Sequence, residues 1–149
     1  MRLTRKGEYK VEDEILQVLN RNLQSIWDAD VATYMKTCAA DVSFFEWYIT
    51  TQRIDGIDFH LREILVHAQA LGGGEGARTE HEVLQPRVQL YGDTAIVTYT
   101  LLVRAMHGVQ VTRTQQNETR VFHRFDDGWK LVHCHKSPCW RAPHDAPLG

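Results

Sequence analysis

Residues 113–124 read Arg-Thr-Gln-Gln-Asn-Glu-Thr-Arg-Val-Phe-His-Arg. In an extended chain, side chains two apart share a face. Glu118, Arg120, Phe122 and Arg124 therefore lie on one side, and Thr119, Val121 and His123 on the other. Asp126-Asp127-Gly128 is a turn signal. Beyond it, Val132, Cys134 and Lys136 share one face of a further strand, with His133 and His135 opposite. Working upstream, two more segments rich in Val, Thr, Tyr or Ile are set off by Gly92-Asp93 and Gly108. The expectation is four consecutive strands, at about 79–91, 94–106, 111–125 and 128–136.

The N-terminal half has helical periodicity. Val11, Ile15, Val18, Leu19, Leu23, Ile26 and Trp27 recur at three- and four-residue steps and form one apolar stripe. Asp28-Ala29-Asp30 interrupts it, and Asp30 is placed to cap a second short helix through about Cys38. Asp41 to Tyr48 is aromatic-rich and reads as a strand, and Asp55-Gly56 marks a turn. A third helix runs from Asp58 to about Leu71, with Phe59, Leu61, Ile64, Leu65 and Ala68 as its apolar positions. Gly72-Gly-Gly-Glu-Gly-Ala ends it and reads as the most mobile interior stretch.

Helices followed by a run of adjacent strands specify an α+β fold with an antiparallel sheet. Strongly curved, such a sheet wraps its helices into a cone, and the interior is either filled by side chains or left as a pocket. The chain reads as a single domain over 1–149, with a core at about 11–137 and a Pro-bearing tail, 138–149, poorly ordered at its end.

Composition narrows the function. A net charge of −2 over 149 residues leaves no global basic field to draw in nucleic acid or an acidic membrane. No run approaches the length of a membrane span, and the basic first ten residues lead into no apolar segment. Three cysteines, Cys38, Cys134 and Cys139, make no disulfide framework. The expected setting is cytoplasmic, with reduced thiols. Trp47-Tyr48 has no basic groove beside it, so it reads as an interface or a pocket lip rather than a base-stacking site.

Three stretches carry a resemblance. The first is Ala32-Thr-Tyr-Met-Lys-Thr-Cys38, with Phe45-Glu46 and Ile54-Asp-Gly-Ile-Asp-Phe-His60. The second is Pro86-Arg-Val-Gln-Leu-Tyr-Gly-Asp93. The third is the opening stretch with Gly128-Trp129 and Val132-His-Cys-His135. From about Val11 to Ser137 the chain resembles the association (hub) domain of calcium/calmodulin-dependent protein kinase II. The resemblance implies an NTF2-like cone with its N-terminal helices packed in a curved antiparallel sheet. It implies self-assembly through dimers, often into rings. It also implies a deep basic and aromatic pocket able to take a small carboxylate. Tyr34, His60 and Arg120 keep the family's residue types, Lys136 stands where the kinase form has arginine, and Leu101 falls where a further pocket arginine is expected.

Strand alternation independently aims Arg120 and Lys136 at one cavity, with Val132 and Phe122 beside them. Low dielectric there strengthens their attraction for a carboxylate. The alternative is that Arg120 is spent on a buried pair with Glu118 or another internal acid. The expected ligand-binding set is Tyr34, His60, Tyr99, Arg120 and Lys136. Catalysis is left open. NTF2-like isomerases, dehydratases and cyclases carry Asp, His or Tyr inside the cone, and His60, Tyr34 and Glu46 are the positions that match. Asp58 reads equally well as a helix cap, and Glu46 as a partner for Arg120 or Lys136. A carboxylate within reach of His60 or Tyr34, and not neutralised by arginine, would favour catalysis. His133-Cys-His-Lys-Ser137 faintly echoes the histidine–serine run of iota-class carbonic anhydrases, some of them metal-free. No metal or other cofactor is expected, since Cys134 points away from His133 and His135. The two histidines are expected on a packed or subunit-facing surface. The partners expected are further copies of the chain and a small molecule.

Overall fold

The computed structural model describes residues 5–70 and 77–139. The expectations for Gly72 to Gly76 and for the tail past Cys139 lie outside the described residues, as does the side chain of Ala68. Three helices and six strands follow one another: α1 (Arg5–Trp27), α2 (Val31–Thr37), β1 (Cys38–Phe45), β2 (Ile54–Asp55), α3 (Asp58–Ala70), β3 (Ala77–Tyr91), β4 (Thr94–His107), β5 (Gln110–Phe125) and β6 (Gly128–Pro138). The apolar stripe of α1 buries Ile15, Val18, Leu19 and Leu23, and Asn22 on the same stripe is buried with them. Ala29, at φ 53, turns the chain out of α1, and Asp30 caps α2 by accepting from the Thr33 amide at 3.1 Å. Cys38 is already extended, so β1 begins three residues before the expected start and ends before Glu46.

The sheet order is β2-β1-β6-β5-β4-β3, an open sheet with β2 and β3 at its edges. β3 through β6 form an antiparallel meander with two-residue turns. β1 joins β6 in parallel, which the sequence reading did not anticipate. Register shifts fall between Leu84 and Arg87 on β3, between Val121 and Phe122 along the β5–β6 pair, and between Cys38 and Ser43 on β1. Such bulges bend the strand that carries them and raise its twist, and here they curve the sheet around the helices. The core cluster joins α1, α2 and α3 to the concave face through Leu19, Tyr34, Phe44, Ile64, Val97 and Phe122. Among the described residues, no helix is long and apolar enough to cross a membrane.

Two positions differ from the sequence reading for local reasons. Leu65 is 48% exposed, because Ile64 points into the core and the next helical residue is rotated about 100° from it. Val132 is not the inward residue of β6. Phe122 pairs with Leu131 and Val121 with His133, so Val132 is the extra residue of a bulge. The bulge changes the phase: Trp129 and Leu131 face inward before it, Cys134 and Lys136 after it. Leu131 thus fills the place assigned to Val132.

We expect Leu131→Ala to cost about 2–5 kcal/mol in denaturant unfolding, and Val132→Ala less than about 1 kcal/mol. Equal losses would rule out the bulge.

Candidate functional site

The concave face holds a cavity of about 620 Å³. Leu23, Ile26, Ile64, Leu101 and Val103 give it apolar walls, and Trp27, Tyr34, Trp47 and Tyr48 add aromatic ones. Its polar lining includes His60, Glu118, Arg120 and Lys136. Leu101 is buried and forms part of the wall, an apolar surface where the family resemblance anticipates a charge.

The charges of Arg120 and Glu118, and of Lys136 and Glu46, are matched in pairs. Arg120 sits at the middle of the sheet and is 2% exposed. Its Nε donates to Glu118 Oε1 at 3.1 Å, and its Nη1 donates to Asn22 Oδ1 at 2.6 Å. Asn22 is fixed in turn by donating to Thr37 Oγ1 at 2.9 Å. Glu118 Oε1 also accepts from Tyr99 Oη at 2.8 Å, and Oε2 accepts from Gln116 at 2.9 Å. On the α3 side, Lys136 Nζ donates to Glu46 Oε1 at 2.8 Å, and His60 Nε2 lies 3.0 Å from the same oxygen. The His60 ring packs on Phe44, with centroids 3.8 Å apart, and nearly parallel to Tyr34 at 6.4 Å. Among the described residues, the buried side-chain atoms without a hydrogen-bond partner are Glu46 Oε2, His60 Nδ1 and Glu63 Oε2.

These pairings set the charge states. Burial opposes ionisation of Glu46, but the His60 bond and Lys136 together outweigh it and bring the carboxyl down to about 2. Burial likewise opposes Glu118, and Arg120 with Lys136 holds it below its ordinary value. Burial disfavours the charges on Arg120 and Lys136, yet the acidic groups around each hold both cations protonated, above their usual values. Burial pushes the Cys134 thiol up to about 12 and Cys38 up to about 11, so neither is a ready thiolate.

The five ligand-site expectations now have addresses. Tyr34, His60, Arg120 and Lys136 line one cavity. Tyr99 is buried beneath it and acts on Glu118 through its hydroxyl. Glu46 pairs with Lys136, and Arg120 pairs with Glu118, which decides between the partners the sequence left open. Asn22 was missed, although a polar residue on the buried stripe of α1 was the signal for it. Glu63, one turn after His60, was missed as well. On the convex face, His133 Nδ1 is 2.8 Å from Ser43 Oγ, and His135 packs against Phe45 at 4.9 Å. Cys134 points the other way and is fully buried. Among the described residues, no three His, Cys, Asp or Glu side chains group to hold a metal ion.

Residues 11–139 match the family model of the calcium/calmodulin dependent protein kinase II association domain. Calcium/calmodulin-dependent protein kinase type II subunit delta of Oryctolagus cuniculus is 32% identical over 139 residues, which is 91% of this chain and 25% of that protein. The chain spans about a quarter of the length of that curated relative. The association domain of C. elegans CaMKII superposes with a TM-score of 0.76 at 26% identity, covering 89% of this chain and 99% of that one. An NTF2-like superfamily protein from Salmonella enterica shares the fold, with a TM-score of 0.73 at 20% identity over 93% of this chain and 99% of that one.

Because Glu46 ionises well below its unfolded value of 4.5, its contribution is present above that pH. It is lost as pH falls toward about 2. We expect Glu46→Ala to leave Lys136 buried and unpaired, at about 3–5 kcal/mol near neutral pH. The variant should also lose the part of the acid-unfolding curve below about 4.5 that the wild type shows. Identical acid limbs would refute the assignment.

Proposed function

The chain belongs to the calcium/calmodulin dependent protein kinase II association domain family, and from that premise we propose that it is a self-associating module whose cavity binds a small carboxylate-bearing molecule. The observation that carries the ligand reading is the apolar-walled cavity lined by two cations, the buried Arg120 and the largely buried Lys136. Arg120 has five N–H donors, and the two bonds to Glu118 and Asn22 engage Nε and Nη1. The ammonium of Lys136 has three N–H donors, and the Glu46 bond engages one. Donors beyond the internal pairs are what a carboxylate needs, and the surrounding Leu101 and Val103 lower the local dielectric that would otherwise weaken the contact. Tyr34 and His60 orient the ligand from the α2–α3 side, and Tyr99 fixes the Glu118–Arg120 pair from below.

A second reading, acid–base catalysis in the same cone, is favoured by the Glu46–His60 contact at 3.0 Å. A carboxylate that orients one ring nitrogen of a histidine is one element of the arrangement general-base catalysis requires. Against it, Lys136 neutralises Glu46, and no nucleophile is placed beside Nδ1 among the described residues. Carbon dioxide hydration and hydrogen exchange on enolisable ketones measure this reading directly.

Titration against a panel of small carboxylates is expected to give a binder. Arg120→Lys, which keeps the charge but loses the planar fork, should weaken it at least about tenfold, while a variant at an exposed residue away from the cavity should not. No binder in the wild type ends the ligand reading. Light scattering is expected to give a mass at least twice 17.2 kDa; a monomer at micromolar concentration ends the self-association reading.

A further inference from the structure

Trp27, the last residue of α1, belongs to two hollows at once. It lines the cavity, and it lines a second cleft of about 700 Å³ together with Asp28, Thr79, Glu80, His81 and Arg104. Among the described residues, Trp27 is the one that the two linings share. A relay of three hydrogen bonds holds its indole. Asn20 Nδ2 donates to the Leu16 carbonyl at 3.0 Å, which leaves Asn20 Oδ1 for β3. His81 Nε2 lies 3.2 Å from that oxygen, and Trp27 Nε1 donates to His81 Nδ1 at 2.9 Å. The roles are fixed from both ends. An indole N–H can only donate, so Nδ1 accepts through a lone pair. An amide oxygen can only accept, so Nε2 carries the ring proton. This relay therefore requires His81 to be neutral.

Protonation breaks it at one point. An imidazolium has a proton on each nitrogen, so Nδ1–H would meet the Trp27 N–H donor to donor. The bond to Asn20 survives, and the indole is the member released. Trp27 has room to leave: it is half-buried, it ends its helix, and the second cleft lies against it. Burial first, and then the Arg120 guanidinium on β5, hold His81 below its ordinary value of 6.5, with Glu118 opposing them. Of the charged groups lining the second cleft, Arg78 and Arg104 pair with Glu80, Arg104 also with Glu82 on β3, and Asp28 on the α1 side accepts from Gln24 at 3.0 Å. What the neutral ring contributes is present above 6.5 and is lost as pH falls through the lower folded value.

We infer that His81 is a latch on the cavity wall: neutral, it holds Trp27 in place, and protonated, it frees the indole toward the second cleft and loosens the site. The inference rests on the carboxylate reading for what the cavity holds, whereas the release of Trp27 is measured without any ligand.

Nuclear magnetic resonance on the isotope-labelled full chain follows the Trp27 indole N–H signal, assigned by its loss in Trp27→Phe, from about pH 7.5 to about pH 5. The signal is expected to move with one midpoint below 6.5, shared with the His81 ring. His81→Gln keeps an oxygen to accept from Trp27 and cannot titrate, so its indole signal should stay still. Calorimetric titration uses the tightest binder of a panel running from butyrate to octanoate and from benzoate to phenylpropionate. Over the same pH range, its affinity should weaken about threefold to tenfold more in the wild type than in His81→Gln, the contribution of one aromatic wall. An indole signal that does not titrate, or that titrates alike in His81→Gln, overturns the latch. Equal pH dependence of affinity in the two proteins overturns its hold on the site. If nothing in the panel binds, the carboxylate reading falls and the indole signal alone decides the latch.

Discussion

Arg120 is a guanidinium that is 2% exposed, and the architecture around it can be understood as the means of accommodating that one charge. A buried cation without partners is among the most expensive features a small domain can contain. Three elements supply what it needs. β5 provides Glu118 two residues earlier on the same face, α1 provides Asn22, and β4 provides Tyr99 to hold Glu118 in position. The bond to Asn22 spans 98 positions of sequence and ties the first helix to the centre of the sheet. It therefore fixes how deep α1 sits in the concavity, and with it the distance between helix layer and sheet that the cavity occupies.

The second buried cation depends on an irregularity. Without the extra residue at Val132, strict alternation from Leu131 would turn Cys134 and Lys136 to the convex face. The bulge restores them to the interior, where Lys136 meets Glu46 at the end of β1. β1 reaches that place only because it pairs with β6 in parallel, which carries Phe44 beside Cys134 and Phe45 beside His135. Bulge and parallel pairing together bring Glu46, His60 and Lys136 into contact from three separate elements.

Much of this was legible in the sequence, and what was not has physical reasons. The four long strands and their turns were readable because Gly92-Asp93, Gly108 and Asp126-Asp127-Gly128 break otherwise regular β-formers. The α1 stripe and the Asp30 cap follow from local spacing and local hydrogen bonding. The inward face of Glu118, Arg120 and Phe122 also follows from period two alone. Val132 was misplaced because a bulge adds one residue with no compositional mark. The β1–β6 pairing joins segments about 90 residues apart, and nothing local encodes it. The sequence could say that Arg120 would meet an acid, but only distance decides between Glu118 and Glu46. Leu65 shows a different limit: an apolar residue near the edge of a helical stripe can fall on either side of the boundary with solvent.

The matched charges also bear on why a cavity is there at all. Replacing a buried ion pair with well-packed apolar residues is often neutral or stabilising. Stability alone is thus a weak reason for one small domain to hold Glu46, Lys136, Glu118 and Arg120 inside its core. Packing gives no better reason, since Leu101, Val103 and Ile64 stop short of filling the space above them. An interior built only to be solid would close that space and dispense with the charges. One built to receive a polar guest needs both: charges whose donors exceed their internal partners, and apolar walls that keep water from competing for them.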